Sequence, residues 1–454
     1  MAKTQKLSLA GIAVPLLFEN ILRSLMGTVN VLMLSRVSDG AVASIGIVNQ
    51  YLNVAMVVFS VFSNSSTVAL TQALGAEKRR EAERLATVIV SVLLFIGFVF
   101  SLLLGLFPNF MLSFMRIDAT LLPDTISYMR IVGGTLFLQA TGYALGAVLR
   151  SFGYARLSLG LALTTNVINI ALNYLVIFRP GVLPLSGVTG VAAALAISQL
   201  LGVVLSLFAF QIKNIRLRLR ELFPLPWRSL KAALSIGLPA SVAGLTYNVV
   251  QLIVTSFIAS LGTEAVAVKV YVNQIATFVY AIGFACGQAS QIITGHMLGA
   301  GRVEDAKRLH RKSLLIGLSC NLSLSFLAWL LSEPLLGLFT QDATALTLGK
   351  TVLFVDILVE AGRCLNEANG GTLMGAGDAK IPMVFNSITM LLTTGTSWLF
   401  GITLKWGLPG IWFAFALDEL IRGILSYIRY KRGEWIFIAA QRIKRLDEQK
   451  NTTE

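Results

Sequence analysis

Long stretches of apolar residues alternate with short charged or Gly/Pro-rich breaks along almost the whole chain. A helix that crosses the hydrocarbon core of a membrane needs roughly 20 predominantly apolar residues. Twelve stretches come close to or exceed that length, so the pattern predicts twelve transmembrane helices, numbered here as spans 1 to 12. They cover residues 10–34, 46–71, 87–107, 128–149, 157–178, 188–211, 232–260, 267–295, 313–332, 352–373, 382–403 and 409–430.

The composition supports this interpretation and excludes the main alternatives. Of the 454 residues, 55% are hydrophobic and only 13% are charged, whereas about 25% of the residues in soluble domains are charged. Soluble chains of this length divide into several separate cores, and disordered chains are poor in apolar residues. We therefore expect an all-α integral membrane protein.

The charged residues are distributed unevenly between the loops. The net charge is +14, and basic residues concentrate in Lys78–Arg84, Lys213–Lys231 and Arg302–Lys312, which alternate with loops that carry few of them. Basic loops of membrane proteins remain in the cytoplasm. The alternation predicts a multi-pass protein of the cell (inner or plasma) membrane with both termini in the cytoplasm. The positive charge then reports topology and does not indicate a nucleic-acid partner.

The sequence repeats itself at an offset of 224 residues. Matching positions include Pro15 with Pro239, Val48–Gln50 with Val272–Gln274, Leu74–Ala76 with Leu298–Ala300, Asp118–Thr120 with Asp342–Thr344, and Gly153 with Gly377. Further on the offset falls to 220, where Gly187 and Gly190 match Gly407 and Gly410. Because an even number of spans separates the copies, both halves enter the membrane from the same side. The chain is therefore predicted to contain two parallel six-helix repeats.

The repeat predicts four regions. They are an N-terminal six-helix lobe at 1–212, a cytoplasmic linker at 213–231, a C-terminal six-helix lobe at 232–430 and a cytoplasmic tail at 431–454. Parallel repeats of this kind place a cavity between the halves, and rocking of the halves gives alternating access to it. In the tail, Glu434–Lys450 has the pattern of an amphipathic surface helix.

Several motifs, taken in order, resemble those of multidrug and toxic compound extrusion (MATE) transporters. They are Pro15–Glu19, Ala41–Ala43, Asn49–Gln50, Leu149–Gly153 and Asn169–Tyr174 in the first half, and Gly287–Gln288, Leu298–Gly301 and Gly375–Asp378 in the second. The resemblance covers nearly the whole chain. It implies a V-shaped, two-lobed bundle that acts as a cation-coupled antiporter and exports small amphipathic or cationic organic compounds. It implies H⁺ or Na⁺ as the coupling ion and no cofactor.

The chain departs from this family where the coupling ion usually binds. The resemblance implies an aspartate in span 1 at the position of Asn30, and a second acid in span 5 at the position of Asn173. In sodium-coupled relatives, acids would fall at or near Tyr247 and Arg363. Asparagine does not exchange a proton at physiological pH, although it can coordinate Na⁺ or form a hydrogen bond with cargo. The family's usual coupling sites therefore do not carry over intact.

Span 10 holds the richest set of ionisable residues in the predicted spans. Such groups are unfavourable in hydrocarbon, so each is a candidate functional residue. Asp356, Glu360, Arg363 and Glu367 follow at spacings of 4, 3 and 4, which places them on one helical face. Glu360 and Glu367 both lie within pairing reach of Arg363, and the carboxylate left over could bind a proton or Na⁺. We predict the three acids as ion-coupling candidates, with a structural ion pair as the alternative.

Span 1 presents Glu19, Arg23 and Asn30 on one helical face. Glu19 could pair with Arg23, so a coupling role and a structural salt bridge are both open for it. Glu19 and Asn30 complete the set of ion-coupling candidates, which includes the possibility of a Na⁺ site.

Other polar residues of the spans either hold helices together or line a cavity. The predicted substrate-cavity residues are Gln50, Gln139, Asn169, Asn173, Tyr247, Lys269, Gln274 and Arg363. Lys269 opens span 8 and could instead extend to the membrane interface.

The leading hypothesis is secondary active export of small organic molecules, driven by re-entry of H⁺ or Na⁺. A lipid-linked precursor flippase of the same superfamily is the alternative, although the few bases within the spans argue mildly against the basic cavity that it needs. An integral-membrane transferase is a third reading, which requires a clustered His/Asp or acidic metal site that the sequence does not show. The sequence also lacks a phosphate-binding loop pattern for ATP. We expect a monomer whose partners are its small-molecule substrate and membrane lipid.

Overall fold

The computed structural model describes residues 7–34, 38–114, 117–179, 187–218 and 227–451 of the chain. Within these ranges every regular element is helical. The α-helices are Leu9–Leu34 (α1), Asp39–Gly75 (α2), Arg79–Leu106 (α3), Pro108–Leu112 (α4), Leu122–Tyr128 (α5), Leu136–Ser151 (α6), Ala155–Phe178 (α7), Gly187–Ile212 (α8), Trp227–Ser260 (α9), Thr263–Gly299 (α10), Val303–Leu330 (α11), Ser332–Gly337 (α12), Ala343–Ala376 (α13), Lys380–Ser397 (α14), Gly407–Arg432 (α15) and Glu434–Asn451 (α16). Two π-helical segments, Met129–Gly133 and Trp398–Thr403, continue α5 and α14.

In the described part of the chain, twelve long helical stretches correspond in order to the twelve predicted spans, with α5 and α6 taken as one. This confirms the all-α prediction. By length and apolar composition alone, six of the described helices could cross a membrane, or seven if the pair α5–α6, bent by 41°, is one span. Helices outside this set include α13 and α15, because buried charged side chains interrupt their apolar sequence.

The duplicated sequence has a duplicated backbone. Helices α2 and α10 each have 37 residues, and α3 and α11 each have 28. Gly153 and Gly377 both adopt a left-handed backbone conformation, with φ of 85° and 87°. Gly187 and Gly407 do the same, with φ of 60° and 65°. Left-handed φ values favour glycine, so the structure confirms the 224-residue register and its change to 220.

The turn at Asp118 is also repeated. Asp118 Oδ1 accepts hydrogen bonds from the backbone N–H and the hydroxyl of Thr120, at 2.9 and 2.7 Å. Asp342 Oδ1 accepts the same pair from Thr344, at 3.0 and 2.9 Å, and thereby caps the N-terminus of α13. The backbone hydrogen bond from Thr120, followed by that from its hydroxyl, lowers the pKa of the Asp118 carboxyl below its ordinary value.

The chain forms two compact units. The first, called the α7 unit, comprises Phe18–Leu70 and Arg79–Ser241. The second, called the α13 unit, comprises Met1–Leu17, Thr71–Lys78 and Val242–Glu454. The beginning of α1 and the end of α2 therefore belong to the unit that contains the second repeat.

Helix α13 is central to its unit, where it packs against α10, α11 and α15. Glycines allow the close approach. A Cβ atom at Gly362 would lie 2.7 Å from the carbonyl carbon of Glu419 on α15, and one at Gly371 would overlap the backbone carbonyl of Gly287 on α10. Small residues at helix contacts let backbones meet in this way within a membrane. The packing brings the charged face of α13 next to three other helices, α10, α11 and α15.

The C-terminal ends of α2 and α10 cross backbone to backbone within the α13 unit. A Cβ atom at Gly75 would overlap the carbonyl oxygen of His296, and one at Gly299 would overlap that of Gln72. Gly75 and Gly299 are equivalent positions of the two repeats, and so are Gln72 and His296. Each repeat therefore presents its glycine to the backbone of the other.

Replacing Gly75 by alanine is expected to destabilise the protein by about 1–3 kcal/mol, because the added methyl group fits only if a backbone moves. The measurement is the thermal unfolding midpoint of the detergent-purified protein. Gly46→Ala is the matched control on the same helix, since a Cβ there meets nothing within 4 Å. Gly46→Ala adds the same methyl group without a steric conflict, so equal midpoints for the two variants would contradict the prediction.

Helix α16 packs within the α13 unit, against α10, α13 and α15. Trp435 is 1% exposed, and its indole N–H donates a hydrogen bond to the carbonyl of Tyr430 at 3.0 Å. Trp435 and Ala439 form a small apolar core with Leu298, Ala306, Leu373 and Ala376. Part of the apolar face that the sequence predicts for this helix is therefore covered by protein.

Candidate ion and cargo sites

Glu360 lies in a buried hydrogen-bond network on α13. Its side chain is fully buried. Arg363 Nη1 donates to Glu360 Oε1 at 2.7 Å, and Asn321 Nδ2 of α11 donates to Oε2 at 3.2 Å. The ion pair expected from the spacing of three residues is formed, so Glu360 has one charged partner and one neutral partner.

Arg363 also joins α13 to the charged residues of α15. Its Nε lies 3.5 Å from Glu419 Oε1. Arg422 Nη2 lies 2.9 Å from the same Glu419 oxygen and 2.6 Å from Asp418 Oδ2. The Asp418–Arg422 pair is evident from its spacing of four, but the contact between Glu419 and Arg363 is missed by sequence reasoning. A signal for it is Gly362, whose missing side chain lets α15 approach.

Glu367 is held by a tyrosine. The hydroxyl of Tyr280 on α10 donates to Glu367 Oε1 at 2.9 Å. Arg363 lies one helical turn away, but its guanidinium pairs with other carboxylates and stacks 5.2 Å from the centroid of the Tyr280 ring. Among the described residues, none of the ion pairs involves Glu367. On its other side is Gly287, where a Cβ would lie 2.8 Å from Glu367 Oε2.

Asp356 lies one turn before Glu360, in more apolar surroundings. It is 4% exposed, and the indole N–H of Trp412 on α15 donates to its Oδ1 at 3.0 Å. Trp412 itself belongs to the apolar core of the α13 unit, together with Leu353 and Val359. The neutral partner holds the side chain in place without balancing its charge.

These residues form a cluster in which acids outnumber bases. We call it the acidic cluster; its members are Asp356, Glu360, Glu367, Asp418 and Glu419, with Arg363 and Arg422. Net negative charge within a membrane is unfavourable, so the excess of carboxylates favours uptake of a proton or another cation. Within the described ranges, no three His, Cys, Asp or Glu side chains are placed to hold a metal ion.

The α7 unit contains a cavity of about 680 Å³. Pockets for drug-sized ligands span about 300–1,000 Å³. The carboxamide side chains that line it are Asn20, Asn30, Asn49, Asn53, Gln139, Asn166, Asn169, Asn173 and Gln199. Glu19, Arg23 and Arg150 are its charged lining residues. Several residues that the sequence singles out, on spans 1, 4 and 5, thus share one cavity.

Glu19 is surrounded by hydrogen-bond donors. Arg150 Nη1 lies 2.9 Å from Glu19 Oε1 and 3.2 Å from Oε2. Arg23 Nη2 lies 3.3 Å from Oε1, and the hydroxyl of Ser158 lies 3.4 Å from Oε2. The pair with Arg23 is expected from the spacing of four. The pair with Arg150 is missed, because nothing local in the sequence connects the end of span 4 with span 1.

Asn30 and Asn173 occupy the positions where the family resemblance implies acidic residues. Their side chains form a hydrogen bond with each other. Asn173 Nδ2 donates to Asn30 Oδ1 at 3.1 Å and to Asn169 Oδ1 at 3.3 Å. Asn169 Nδ2 in turn donates to Ser198 Oγ at 3.3 Å. Neutral hydrogen-bonding groups therefore occupy the place of the implied charges.

The remaining predicted cavity residues are placed differently. Gln50 is exposed and does not line the cavity of the α7 unit, and Gln274 is also exposed. Tyr247 is 39% exposed. Lys269, in the α13 unit, is half-buried and its Nζ donates a hydrogen bond to Thr255 Oγ1.

Comparison with known families matches both halves of the chain. The family profile described as MatE matches residues 15–175 and 239–399. The two matches begin at Pro15 and Pro239, the prolines that the internal repeat pairs. The profile therefore finds the same register as the repeat does.

Individual relatives match along almost the full length. A protein named "Uncharacterized transporter YisQ" from Bacillus subtilis is 35% identical over 432 residues, which cover 94% of this chain and 95% of the relative. A "Probable multidrug resistance protein NorM" from Thermotoga maritima is 25% identical, with 96% and 95% covered.

Solved structures show the same fold. A mutant of the Vibrio cholerae MATE transporter VcmN superposes with a TM-score of 0.86 at 19% identity, over 94% of this chain and 98% of that one. A MOP superfamily transporter from Pyrococcus furiosus superposes with a TM-score of 0.85 at 17% identity, over 95% and 96%.

Proposed function

Because the chain belongs to the MatE family of membrane transporters, we propose that it is a cation-coupled antiporter that exports small amphipathic organic molecules. Members of the family are transporters and not enzymes. H⁺ or Na⁺ supplies the driving force, and the cargo crosses by alternating access. The basic loops and both termini face the cytoplasm.

The observation that carries this proposal is the carboxylate of Glu367. It accepts a hydrogen bond from the neutral hydroxyl of Tyr280, in a cluster whose two arginines pair with other acids. A bound proton or Na⁺ would neutralise the Glu367 carboxylate. Neutralisation lowers the free-energy cost of moving the acidic cluster away from water, so it favours the conformation in which the cluster is least hydrated. A cation that binds one conformation better than the other shifts the balance between them and so couples its flux to that of the cargo.

The other candidates take supporting roles in this proposal. Glu360 shares the site but is already paired with Arg363, so it holds the arginine away from Glu367. Glu19 is matched by Arg23 and Arg150, which favours a structural role. Asn30 is neutral and serves as a hydrogen-bonding group.

The test is transport in proteoliposomes under proton and sodium gradients imposed separately. Three probes share one fluorophore and differ in charge: anionic dansylglycine, neutral dansylglycinamide and cationic dansylaminoethyltrimethylammonium. Gradient-dependent efflux of at least one probe, above that of protein-free liposomes, is the expected result. If neither gradient moves any of the three, the proposal of cation-coupled export fails.

A further inference from the structure

We propose that the cavity of the α7 unit binds organic carboxylates that also carry neutral hydrogen-bonding groups, in preference to organic cations. As an assignment of cargo, this rests on the proposed transport function. As an assignment of a binding site, it rests on the cavity itself.

Among the described residues that line the cavity, none offers a free carboxylate to a cation. Glu19 is the acidic residue among those that line it. Both of its oxygens are within 3.2 Å of Arg150 Nη1, and Arg23 and Ser158 add further donors. An organic cation would have to displace a guanidinium to reach this carboxylate, and it would do so beside two positive charges.

The charge that remains accessible in the lining is positive. Two guanidinium groups face one carboxylate, so a ligand with one negative charge would neutralise the set. Arg150 is buried, whereas the side chain of Arg23 is 49% exposed. A guanidinium has five N–H donors, and Glu19 takes one from Arg23, which leaves donors for a carboxylate in the two-pronged geometry that arginine favours.

The Arg23 guanidinium is held in place before any ligand arrives. It lies 4.5 Å from the centroid of the Tyr143 ring and 3.3 Å from Glu19. Stacking on one side and an ion pair on the other restrict the long side chain. Less conformational entropy is then lost when a carboxylate binds.

The rest of the lining suits a neutral, polar and partly apolar body. The nine carboxamides supply donors and acceptors without charge. Within the described residues, two buried amide atoms of this lining have no hydrogen-bond partner, the donor Asn20 Nδ2 and the acceptor Asn173 Oδ1. Buried polar atoms are almost always paired, so these two amides retain hydrogen-bonding capacity that a small rotation of the side chain would make available to a ligand. Between them lie apolar side chains such as Met26, Leu52 and Leu161.

The experiment measures binding of the three dansyl probes to the full-length protein in detergent, without any ion gradient. Because the probes share one fluorophore, differences in affinity report charge. We expect dansylglycine to bind at least about tenfold more tightly than dansylaminoethyltrimethylammonium, with dansylglycinamide between them. This comparison uses the native protein and does not depend on the folding of a variant.

Two substitutions then locate the site. Arg23→Gln is expected to weaken dansylglycine binding about tenfold and to leave dansylglycinamide binding within about twofold. Arg156→Gln is the matched control, because Arg156 is an exposed arginine of the same unit that does not line the cavity. It removes the same charge and is expected to change neither affinity.

Equal or tighter binding of the cationic probe would overturn the inference, and so would unchanged dansylglycine affinity in Arg23→Gln. The outcome of this binding experiment is independent of the outcome of the transport experiment that tests cation coupling. Dansylglycine binding without gradient-driven efflux would contradict the proposed function and leave this site standing. Gradient-driven efflux of the cationic probe alone, with no dansylglycine binding, would support the proposed function and contradict this binding site.

Discussion

Replacing Glu367 by glutamine is expected to reduce cation-driven efflux to the level of protein-free liposomes while the protein remains folded. Glutamine keeps the shape of the side chain and can still bond to Tyr280, which holds Glu367 Oε1 at 2.9 Å. It cannot take up a proton or neutralise Na⁺, so the two conformations no longer differ in their affinity for the ion. The measurement is efflux of the dansyl probes under each gradient.

Two variants serve as controls for this result. Glu367→Asp keeps the charge on a shorter side chain and is expected to retain part of the efflux. Glu333→Gln removes an acid of α12 whose side chain is 75% exposed and pairs with Lys350, and it is expected to transport at the native rate. Native efflux by Glu367→Gln, under whichever gradient drives the native protein, would show that another residue binds the coupling ion.

Replacing Arg150 by methionine is expected to destabilise the protein by about 3 kcal/mol, because it leaves the buried Glu19 with one charged partner in place of two. Arg150 Nη1 is within 3.2 Å of both Glu19 oxygens, and Glu19 is 8% exposed. Arg23 remains as a weaker partner at 3.3 Å, which places the effect at the lower end of the usual range for a broken buried pair. Methionine conserves most of the volume.

The measurement is the free energy of unfolding in denaturant, followed in detergent for native and variant proteins. The double variant Glu19→Gln/Arg150→Met removes both charges and is expected to be more stable than Arg150→Met alone, since no unpaired carboxylate remains. If the double variant loses the sum of the two single effects, the two side chains do not interact and the assigned pair is wrong.

Contacts within one helix could be predicted from the sequence. The pairs Glu360–Arg363 and Glu19–Arg23 lie three and four residues apart, where helical geometry brings side chains together, and the structure contains both. The twelve long helical stretches and the register of the repeat could also be predicted, since they depend on the length of apolar runs and on matching residues. The bounds of α2 were less accurate. The apolar run predicts 46–71, but the helix extends beyond this run at both ends, from Asp39 to Gly75.

Contacts between helices could not be predicted in this way. Periodicity fixes which residues share a face, but the partner of that face depends on packing along the whole interface. The bond between Tyr280 and Glu367 joins residues 87 positions apart, and that between Asn30 and Asn173 joins residues 143 apart. Conversely, residues that are adjacent in the sequence need not share an environment. Gln50 follows the cavity-lining Asn49 and is itself exposed.

The crossing of α2 and α10 has the form of a contact between two copies of one molecule. Gly75 meets His296, and the equivalent Gly299 meets Gln72, which is the reciprocity of an interface with two-fold symmetry. Two copies of a six-helix ancestor could have met as a homodimer through this glycine contact before gene fusion joined them. Fusion would have freed the halves to diverge. The carboxylate excess now lies in the α13 unit and the amide-lined cavity in the α7 unit, an asymmetry that a dimer of identical subunits cannot have.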